Sequence, residues 1–227
     1  MLDDESSLPK EEARPQADVK KEISALEEEA DLPIEEVIRR MKERAEAAAL
    51  ELIPIDEPYF VADVGSGTGA IGLSIASERP EVKLFATDVS DAALRCTKAN
   101  AESLALTDRV AVLKGSLLDP IPPDRRIDVV VSNPPYIPTT EIDNLAPEIA
   151  AHEPRLALEG GMDGLDIYRK LIPAAAARAN KALLVEHGDG QDSAIRAFME
   201  AAGLVELESH PDLTGTIRVV SGRVPTV

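Results

Sequence analysis

The tetrapeptide Asn133-Pro134-Pro135-Tyr136 offers the most specific chemistry in the sequence. It follows the apolar run Ile127–Ser132, which predicts a buried strand, so the loop is expected at a strand's carboxyl end, where α/β folds bind ligands. Two prolines fix two φ angles and remove two N–H donors, which leaves a rigid loop rich in acceptors. The Asn133 side-chain oxygen and the Pro134 carbonyl can each accept one N–H of a planar –NH2 group, with Tyr136 against its face. The alternative is a proline-rich turn with no chemical role.

A glycine-rich segment, Gly65–Gly69, lies between a predicted strand and a predicted helix. Glycines allow the backbone to turn sharply and approach a ligand, and the following helix offers free N–H groups. Asp88 ends the next predicted strand, 19 residues after Gly69, where a carboxylate can accept from both hydroxyls of a ribose. These features predict a nucleoside-binding crevice. Because Gly67–Gly72 also matches the dinucleotide pattern G-x-G-x-x-G, the identity of the nucleoside stays open at this point.

An acid, Asp63, stands two residues before the glycines. This arrangement resembles the first motif of class I S-adenosylmethionine methyltransferases, in which Asp63 would lie near the cationic end of the cofactor. The alternatives are structural: Asp63 as a capping carboxylate, and Asp88 as the N-cap of the next helix, a role that Ser90 or Asp91 could fill. With a methyl donor in the crevice, the acceptor loop suits N-methylation of a conjugated nitrogen, because neutral acceptors favour the positive charge that develops there.

Strand and helix patterns alternate from residue 58 onward, as the following ranges show. The predicted strands are Phe60–Val64, Val82–Thr87, Val110–Lys114, Ile127–Ser132, Ala182–Glu186, Leu204–Glu208 and Thr216–Ser221, and the helices are Ala70–Ser77, Asp91–Leu104, Leu165–Ala179 and Gln191–Ala202. This order predicts an α/β fold with a mostly parallel, Rossmann-like, seven-stranded sheet and helices on both faces. The last two strands have no helix between them, so they are expected to form an antiparallel hairpin at the sheet edge.

Residues 1–57 differ from residues 58–227, which form the predicted catalytic domain. Residues 1–57 hold 18 acidic and 8 basic residues and no glycine. Residues 1–20 are polar, charged and interrupted by proline, which predicts disorder. From Pro33 to Leu52 the apolar positions recur at helical spacing, so one amphipathic helix is expected to cover a face of the catalytic domain, in preference to a free docking helix.

Composition argues against several classes of protein. The formal net charge of −18 would repel a nucleic-acid backbone, which favours a protein or small-molecule substrate. No apolar run is long enough to span a membrane, and the N-terminus lacks the apolar stretch of a signal peptide. The single cysteine, Cys96, is expected to be a packed thiol. We therefore predict a cytoplasmic protein. The spacing of the three histidines does not fit a metal site, so no metal is predicted.

From about Val61 to Arg223 the sequence resembles the bacterial-type peptide-chain release factor glutamine N5-methyltransferases, the PrmC or HemK family. The glycine and Asn-Pro-Pro-Tyr motifs are shared with adenine N6-methyltransferases. The residues more particular to the release factor family are Glu153-Pro154-Arg155, Ala157-Leu158, Gly160-Gly161, Asp163-Gly164-Leu165 and Tyr168-Arg169. Further matches near the end are Asp212-Leu213, Gly215, Arg218-Val219-Val220 and Gly222-Arg223.

The resemblance implies an S-adenosyl-L-methionine cofactor, the class I methyltransferase fold, and methylation of a glutamine side-chain amide in a peptide-chain release factor. We also expect a monomer, and the acidic charge predicts no direct nucleic-acid binding. The implied catalytic residues are Asn133, Pro134, Pro135 and Tyr136. The implied cofactor-binding residues are Asp63, Gly65, Ser66, Gly67, Thr68, Gly69, Asp88, Ser116, Leu117 and Asn133.

Three departures from the family pattern leave alternatives open. The family's hairpin and Pro-Arg-Pro-x-Thr-Glu segment before the first strand are not found in this sequence. The third strand is followed by Gly115-Ser116-Leu117, whereas the family usually has Gly-Asp before a large apolar residue; Ser116 can still contact the adenine edge. The segment before the first strand also does not match the family's larger N-terminal helical domain. The alternatives are an adenine N6-methyltransferase acting on nucleic acid, a catalytically weakened paralogue that only binds, and, more remotely, a nicotinamide dehydrogenase.

Overall fold

The computed structural model describes residues 45–144, 154–211 and 215–225. Residues 45–52 form the described part of helix α1. The strands are β1 Phe60–Val64, β2 Lys83–Asp88, β3 Val110–Lys114, β4 Ile127–Ser132, β5 Ala179–Glu186, β6 Val205–Pro211 and β7 Ile217–Arg223. The further helices are α2 Ala70–Glu78, α3 Asp91–Ser103, a short α4 Arg155–Leu158, α5 Asp166–Arg178 and α6 Asp192–Ala201.

The seven strands form one sheet in the order β3-β2-β1-β4-β5-β7-β6. Strands β1 to β5 run parallel, and β7 pairs antiparallel with both β5 and β6. The predicted α/β class, the strand count and the antiparallel C-terminal hairpin are confirmed. Differences lie at the ends of elements: β5 begins at Ala179, three residues earlier than predicted, and β6 continues to Pro211.

Helices cover both faces of the sheet, and each face has its own apolar core. On one face, residues of α2 such as Leu73 and Ile75 pack in a cluster with Val129 and Val131 of β4. On the other, Leu171 of α5 packs in a cluster with Val130. All six residues of β4 are buried, as expected for a central strand covered on both sides. This burial fixes the strand ends that carry the motifs.

The end of the predicted N-terminal helix packs into this domain. Residues 45–52 are helical, and Ala45, Ala48, Ala49 and Ile53 are buried in the core cluster that also holds residues of β1 and β2. Arg79 anchors the end of this helix, because its guanidinium donates to the carbonyls of Leu50 and Ile53 at 2.7 Å each. The earlier part of the predicted helix and residues 1–20 lie outside the described residues.

The prediction that Cys96 is a packed thiol is wrong, because Cys96 is exposed on α3. The inward face of α3 runs instead through Thr97 and Ala101, which are buried. One residue rotates the helix by about 100°, so the neighbouring position determines which side chain points inward. Thr97 points inward because its hydroxyl has a buried partner in the glycine loop.

No helix in the described part of the chain is long and apolar enough to cross a membrane.

Candidate active site

The two sequence motifs meet where the order of the strands reverses. The chain runs outward from β1 through β2 to β3, then returns to place β4 on the other side of β1. Val64 at the end of β1 pairs with Ser132 at the end of β4, and the Ser132 hydroxyl donates to the Val64 carbonyl at 2.7 Å. The glycine loop and the acceptor loop therefore leave adjacent strand ends. A crevice at such a reversal is the usual ligand site of open α/β sheets.

The glycine loop has a backbone that favours glycine and an open outer side. Gly65, Gly67 and Gly69 have φ values of +69°, +56° and +79°, in the left-handed region. A Cβ added at Gly65 or Gly67 would meet no atom within 4 Å. The inner side is fixed to α3, because the Thr97 hydroxyl donates to the Gly67 carbonyl and the Asn100 amide donates to the Thr68 carbonyl, both at 2.9 Å. The loop is thus held from behind and can accept a ligand in front.

Asp88, at the end of β2, faces the glycine loop. Its carboxylate accepts the N–H of Gly67 at 2.9 Å and the N–H of Ser90 at 2.8 Å. The N-cap of α3 is Ser90, whose hydroxyl accepts the N–H of Ala93 at 3.3 Å, so the capping alternative for Asp88 is wrong. A carboxylate has about four acceptor positions. Since two are used, the half-buried Asp88 keeps capacity for the two hydroxyls of a ribose.

Asp63 lies under the loop. Its side chain is only 1% exposed and accepts the N–H of Gly72, in the first turn of α2, at 3.0 Å. Burial, opposed by the bond from Gly72 and reinforced by the nearby Asp88, raises the pKa of Asp63 from 3.8 to about 7. The geometry therefore matches the capping alternative, and leaves a carboxyl group that can change charge near neutral pH.

The segment after β3 lies beside Asp88. The N–H of Gly115 donates to the Asp88 carbonyl at 3.0 Å, and the carbonyl of Leu117 accepts from the Thr87 hydroxyl at 2.8 Å. Leu117 has a φ of +50°, while Ser116 is exposed. The structure thus brings Ser116 and Leu117 to the same edge of the sheet as the glycine loop.

Two polar groups of the acceptor loop, Asn133–Tyr136, are candidates to hold a substrate –NH2 group. Asn133 is half-buried and Pro134 is buried. Among the described residues, none hydrogen-bonds to the Asn133 side chain or to the Pro134 carbonyl. The chain beyond the loop is fixed, because Ile137 donates to the Leu158 carbonyl and accepts from the N–H of Gly160, both at 2.9 Å. The four loop residues therefore lie between two fixed points, the buried strand β4 and Ile137.

The segment 158–166, which is part of the stretch that resembles the release factor family, packs against the acceptor loop. A Cβ at Gly160 would lie 2.7 Å from the Pro135 carbonyl oxygen, and one at Gly164 would overlap the Tyr136 carbonyl oxygen. Tyr168 is fully buried, and its hydroxyl donates to the Glu186 carbonyl at 2.6 Å. Glycines in this segment are thus required by the close approach of another backbone.

Sequence reasoning did not identify Gln191 or the role of Gly188. The Gln191 amide donates to the Tyr136 carbonyl at 2.9 Å, and a Cβ at Gly188 would lie 2.9 Å from the Tyr136 ring. Gly188 follows a predicted strand, and that position could have indicated a role near the site. No sequence pattern indicates a role for Gln191. His187, beside them, is buried, which lowers its pKa. Its Nδ1 lies 2.8 Å from the Gly188 carbonyl, consistent with a structural histidine.

A cavity of about 380 Å³ lies away from these strand ends. It lies between α2 and α3 and shares only Thr68 with the glycine loop. We assign the candidate site to the strand-end crevice instead, because the two sequence motifs converge there. The described residues contain no cluster of three or more His, Cys, Asp or Glu side chains that could hold a metal ion.

Comparisons with known proteins agree with this geometry. Residues 44–163 match the family model described as the methyltransferase small domain. The release factor glutamine methyltransferase of Moorella thermoacetica is 42% identical over 174 residues, which cover 75% of this chain and 61% of that protein. The protein of the same name from Cereibacter sphaeroides is 40% identical over 185 residues, covering 80% of this chain and 66% of that protein. This chain therefore spans less than two thirds of the length of either relative.

The fold also matches solved structures. The N-terminal domain of human METTL16 in complex with SAH superimposes with a TM-score of 0.57 at 15% identity, covering 80% of this chain and 68% of that one. At this low identity, the structural likeness establishes the fold alone. The family is established by the family model, which matches more than half of this sequence. The chain therefore has the class I methyltransferase fold and belongs to the methyltransferase small-domain family.

Proposed function

We propose that this protein is an S-adenosylmethionine-dependent methyltransferase that methylates the side-chain amide nitrogen of a glutamine in a peptide-chain release factor. The observation that carries the proposal is the pairing of Val64 with Ser132, which sets the glycine loop beside the acceptor loop. In a family of methyltransferases, that pairing suits transfer of a methyl group to a planar nitrogen.

The residues for the cofactor fit S-adenosylmethionine. The open side of Gly65–Gly69 can take the methionine part, Asp88 the ribose, and Ser116 and Leu117 the adenine edge. SAH, bound in the human structure of the same fold, is the demethylated form of this cofactor, which supports the choice. When bound, the cofactor supplies an electrophilic methyl group attached to a sulfonium.

The acceptor loop suits an amide nitrogen for electronic reasons. The amide lone pair is delocalised, so the nitrogen is a poor nucleophile and becomes positive as it forms the new N–C bond. The Asn133 side-chain oxygen and the Pro134 carbonyl can each accept one of its N–H groups, which stabilises that charge without a strong base. As the methyl–sulfur bond breaks, its electron pair stays on sulfur, and one N–H proton of the substrate then leaves to solvent.

The choice of a release factor glutamine rests on the relatives. Both proteins compared above are named release factor glutamine methyltransferases. The stretch Pro154–Arg169 carries the resemblance to that family. Gly160 and Gly164 of this stretch lie directly against the acceptor loop, so the stretch is in position to shape the substrate site. The net charge of −18 also favours a protein substrate over a nucleic acid. The cytoplasmic location and the monomeric state stay predictions.

The test is to incubate the purified chain with isotope-labelled S-adenosylmethionine and an unmethylated bacterial release factor, followed by tandem mass spectrometry. We expect one added methyl group on a single glutamine side chain. Adenine-containing RNA and DNA serve as parallel substrates. Methyl transfer to adenine alone would replace the proposal with the adenine N6-methyltransferase alternative. Cofactor binding without transfer to any substrate would identify a weakened paralogue.

A further inference from the structure

Gln191 joins the loop after β5 to the acceptor loop after β4. Its Nε2 donates to the Tyr136 carbonyl at 2.9 Å, and its Oε1 accepts the N–H of Gly188 at 3.0 Å. Both polar ends of the side chain are therefore used, and the bond to Tyr136 spans 55 residues of sequence.

We propose that Gln191 is a positioning residue for methyl transfer: it holds the Tyr136 carbonyl, and through it the direction of the Asn133 and Pro134 acceptors. The inference rests on the proposed function, since it concerns the same acceptor loop. Gln191 itself does not contact the reacting atoms in this account. It acts through the backbone of the loop.

The composition of the loop explains why an outside donor is needed. Pro134 and Pro135 have no N–H, so the loop cannot form its own turn with those residues as donors. Before the loop, the backbone is fixed as far as Ser132 by β4; after it, Ile137 is fixed by its bonds to Leu158 and Gly160. The Gln191 bond to Tyr136 restrains the chain between these two points.

The Gln191 side chain is packed closely against two glycines. A Cβ at Gly164 would lie 2.5 Å from Gln191 Nε2, and one at Gly188 would lie 3.3 Å from Gln191 Oε1. Gly188 also contacts the Tyr136 ring, so the glutamine and the ring are set by the same backbone. A residue packed so tightly can hold a geometry to a fraction of an ångström.

Loss of the bond should affect the chemical step more than binding. A misplacement of about 1 Å in a reacting geometry can cost on the order of 10²-fold in rate. For Gln191→Ala we therefore expect kcat to fall by roughly 10-fold to 10²-fold, with a smaller change in KM. The affinity for S-adenosylmethionine should stay near that of the wild type, because the two polar ends of Gln191 bond to Gly188 and Tyr136 and not to the glycine loop or Asp88.

Gln191→Glu separates positioning from simple support of the fold. A glutamate keeps the acceptor for the Gly188 N–H, but when ionised it has no donor for the Tyr136 carbonyl. When protonated, its hydroxyl can donate to that carbonyl. The activity of this variant relative to wild type should therefore rise as the pH is lowered from about 8 to about 6, since a half-buried carboxyl facing a carbonyl has a raised pKa.

The experiment measures kcat and KM for methyl transfer to the release factor, and S-adenosylmethionine affinity, in wild type, Gln191→Ala and Gln191→Glu. Ser193→Ala, at an exposed position on α6, is the matched control and should behave as wild type. A fall in kcat for Gln191→Ala and a ratio for Gln191→Glu that rises at low pH support the inference. If Gln191→Ala does not fold, the pH profile of Gln191→Glu decides alone.

Three results would overturn the inference. Wild-type kcat in Gln191→Ala would remove the role of the bond, and a pH-independent activity ratio for Gln191→Glu would reduce the residue to structural support. If the wild type is active, either of these results contradicts the inference without contradicting the proposed function. A wild type that binds the cofactor but leaves the release factor unmethylated would overturn the function and the inference together.

Discussion

Replacing Asp63 with Asn should change how the stability of the protein depends on pH. The carboxyl group is 1% exposed, and it accepts a hydrogen bond from the N–H of Gly72 at 3.0 Å. An Asn side-chain oxygen can accept the same N–H, so the cap is kept while the titration is removed. The variant therefore isolates the effect of burying an ionisable group.

The sign and size follow from the raised pKa. Burial raises the folded-state pKa of Asp63 from 3.8 to about 7, so the folded state holds the proton more tightly than the unfolded state. The stabilising contribution is fully present below the unfolded pKa and is lost as the pH rises through about 7. At 1.36 kcal/mol for each pKa unit, the whole loss is about 4 kcal/mol, of which about 2 kcal/mol falls between pH 5.5 and 8.5.

Urea unfolding of wild type and Asp63→Asn across that pH range provides the assay. The difference between their free energies of unfolding cancels the titration of every other carboxylate. We expect the wild type to lose about 2 kcal/mol relative to the variant from pH 5.5 to 8.5 and to level off above about pH 7.5. A difference that stays constant with pH would refute the raised pKa and its origin in burial.

The same variant tests whether Asp63 also serves the cofactor. A cationic group beside Asp63 favours the ionised carboxyl, so S-adenosylmethionine affinity should then rise with pH through about 7 in wild type but not in Asp63→Asn. Parallel pH profiles in the two proteins would restrict Asp63 to its capping role.

Two further predictions concern the cofactor site and the packing of the N-terminal helix. Asp88→Ala should weaken S-adenosylmethionine binding by about 1.5–3 kcal/mol, because it removes a carboxylate acceptor for the ribose and leaves the N–H of Gly67 without its partner. Calorimetry would measure this loss of affinity. Asp91→Ala, at an exposed position, is the control. Ile53→Ala should lower the free energy of unfolding by about 3 kcal/mol, because Ile53 is 1% exposed in the core, whereas Ile55→Ala, at a position 58% exposed, should change it little; equal melting temperatures would contradict the packing.

The parts of the fold that the sequence predicts depend on local patterns. Val110–Lys114 and Ile127–Ser132 agree with β3 and β4 residue for residue, because apolar runs bounded by turns specify strands. The hairpin of β6 and β7 follows from the missing helix between them. Gly65–Gly69 and Asn133–Tyr136 were found because each motif is continuous in sequence.

The parts that the sequence does not predict depend on contacts between distant residues. Several strand orders are compatible with the sequence, and the local pattern does not indicate that β4 lies beside β1. Gln191 has no local signal, since its role depends on a carbonyl 55 residues away. Cys96 was misjudged for a related reason: small apolar neighbours make several faces of α3 look alike, and the partner of Thr97 in the glycine loop determines the inward one.

The most direct test of the account is the methylated atom in wild type and in Asn133→Ala. Single-turnover transfer to the release factor, read by tandem mass spectrometry, should show the methyl group on a glutamine side-chain nitrogen with the wild type. Asn133→Ala should be slower by on the order of 10²-fold, with S-adenosylmethionine affinity nearly unchanged. Asn180→Ala, at an exposed position at the other end of β5, should match the wild type. Equal rates in Asn133→Ala and wild type, or a methyl group on any other atom, would contradict the assignment of the acceptor loop.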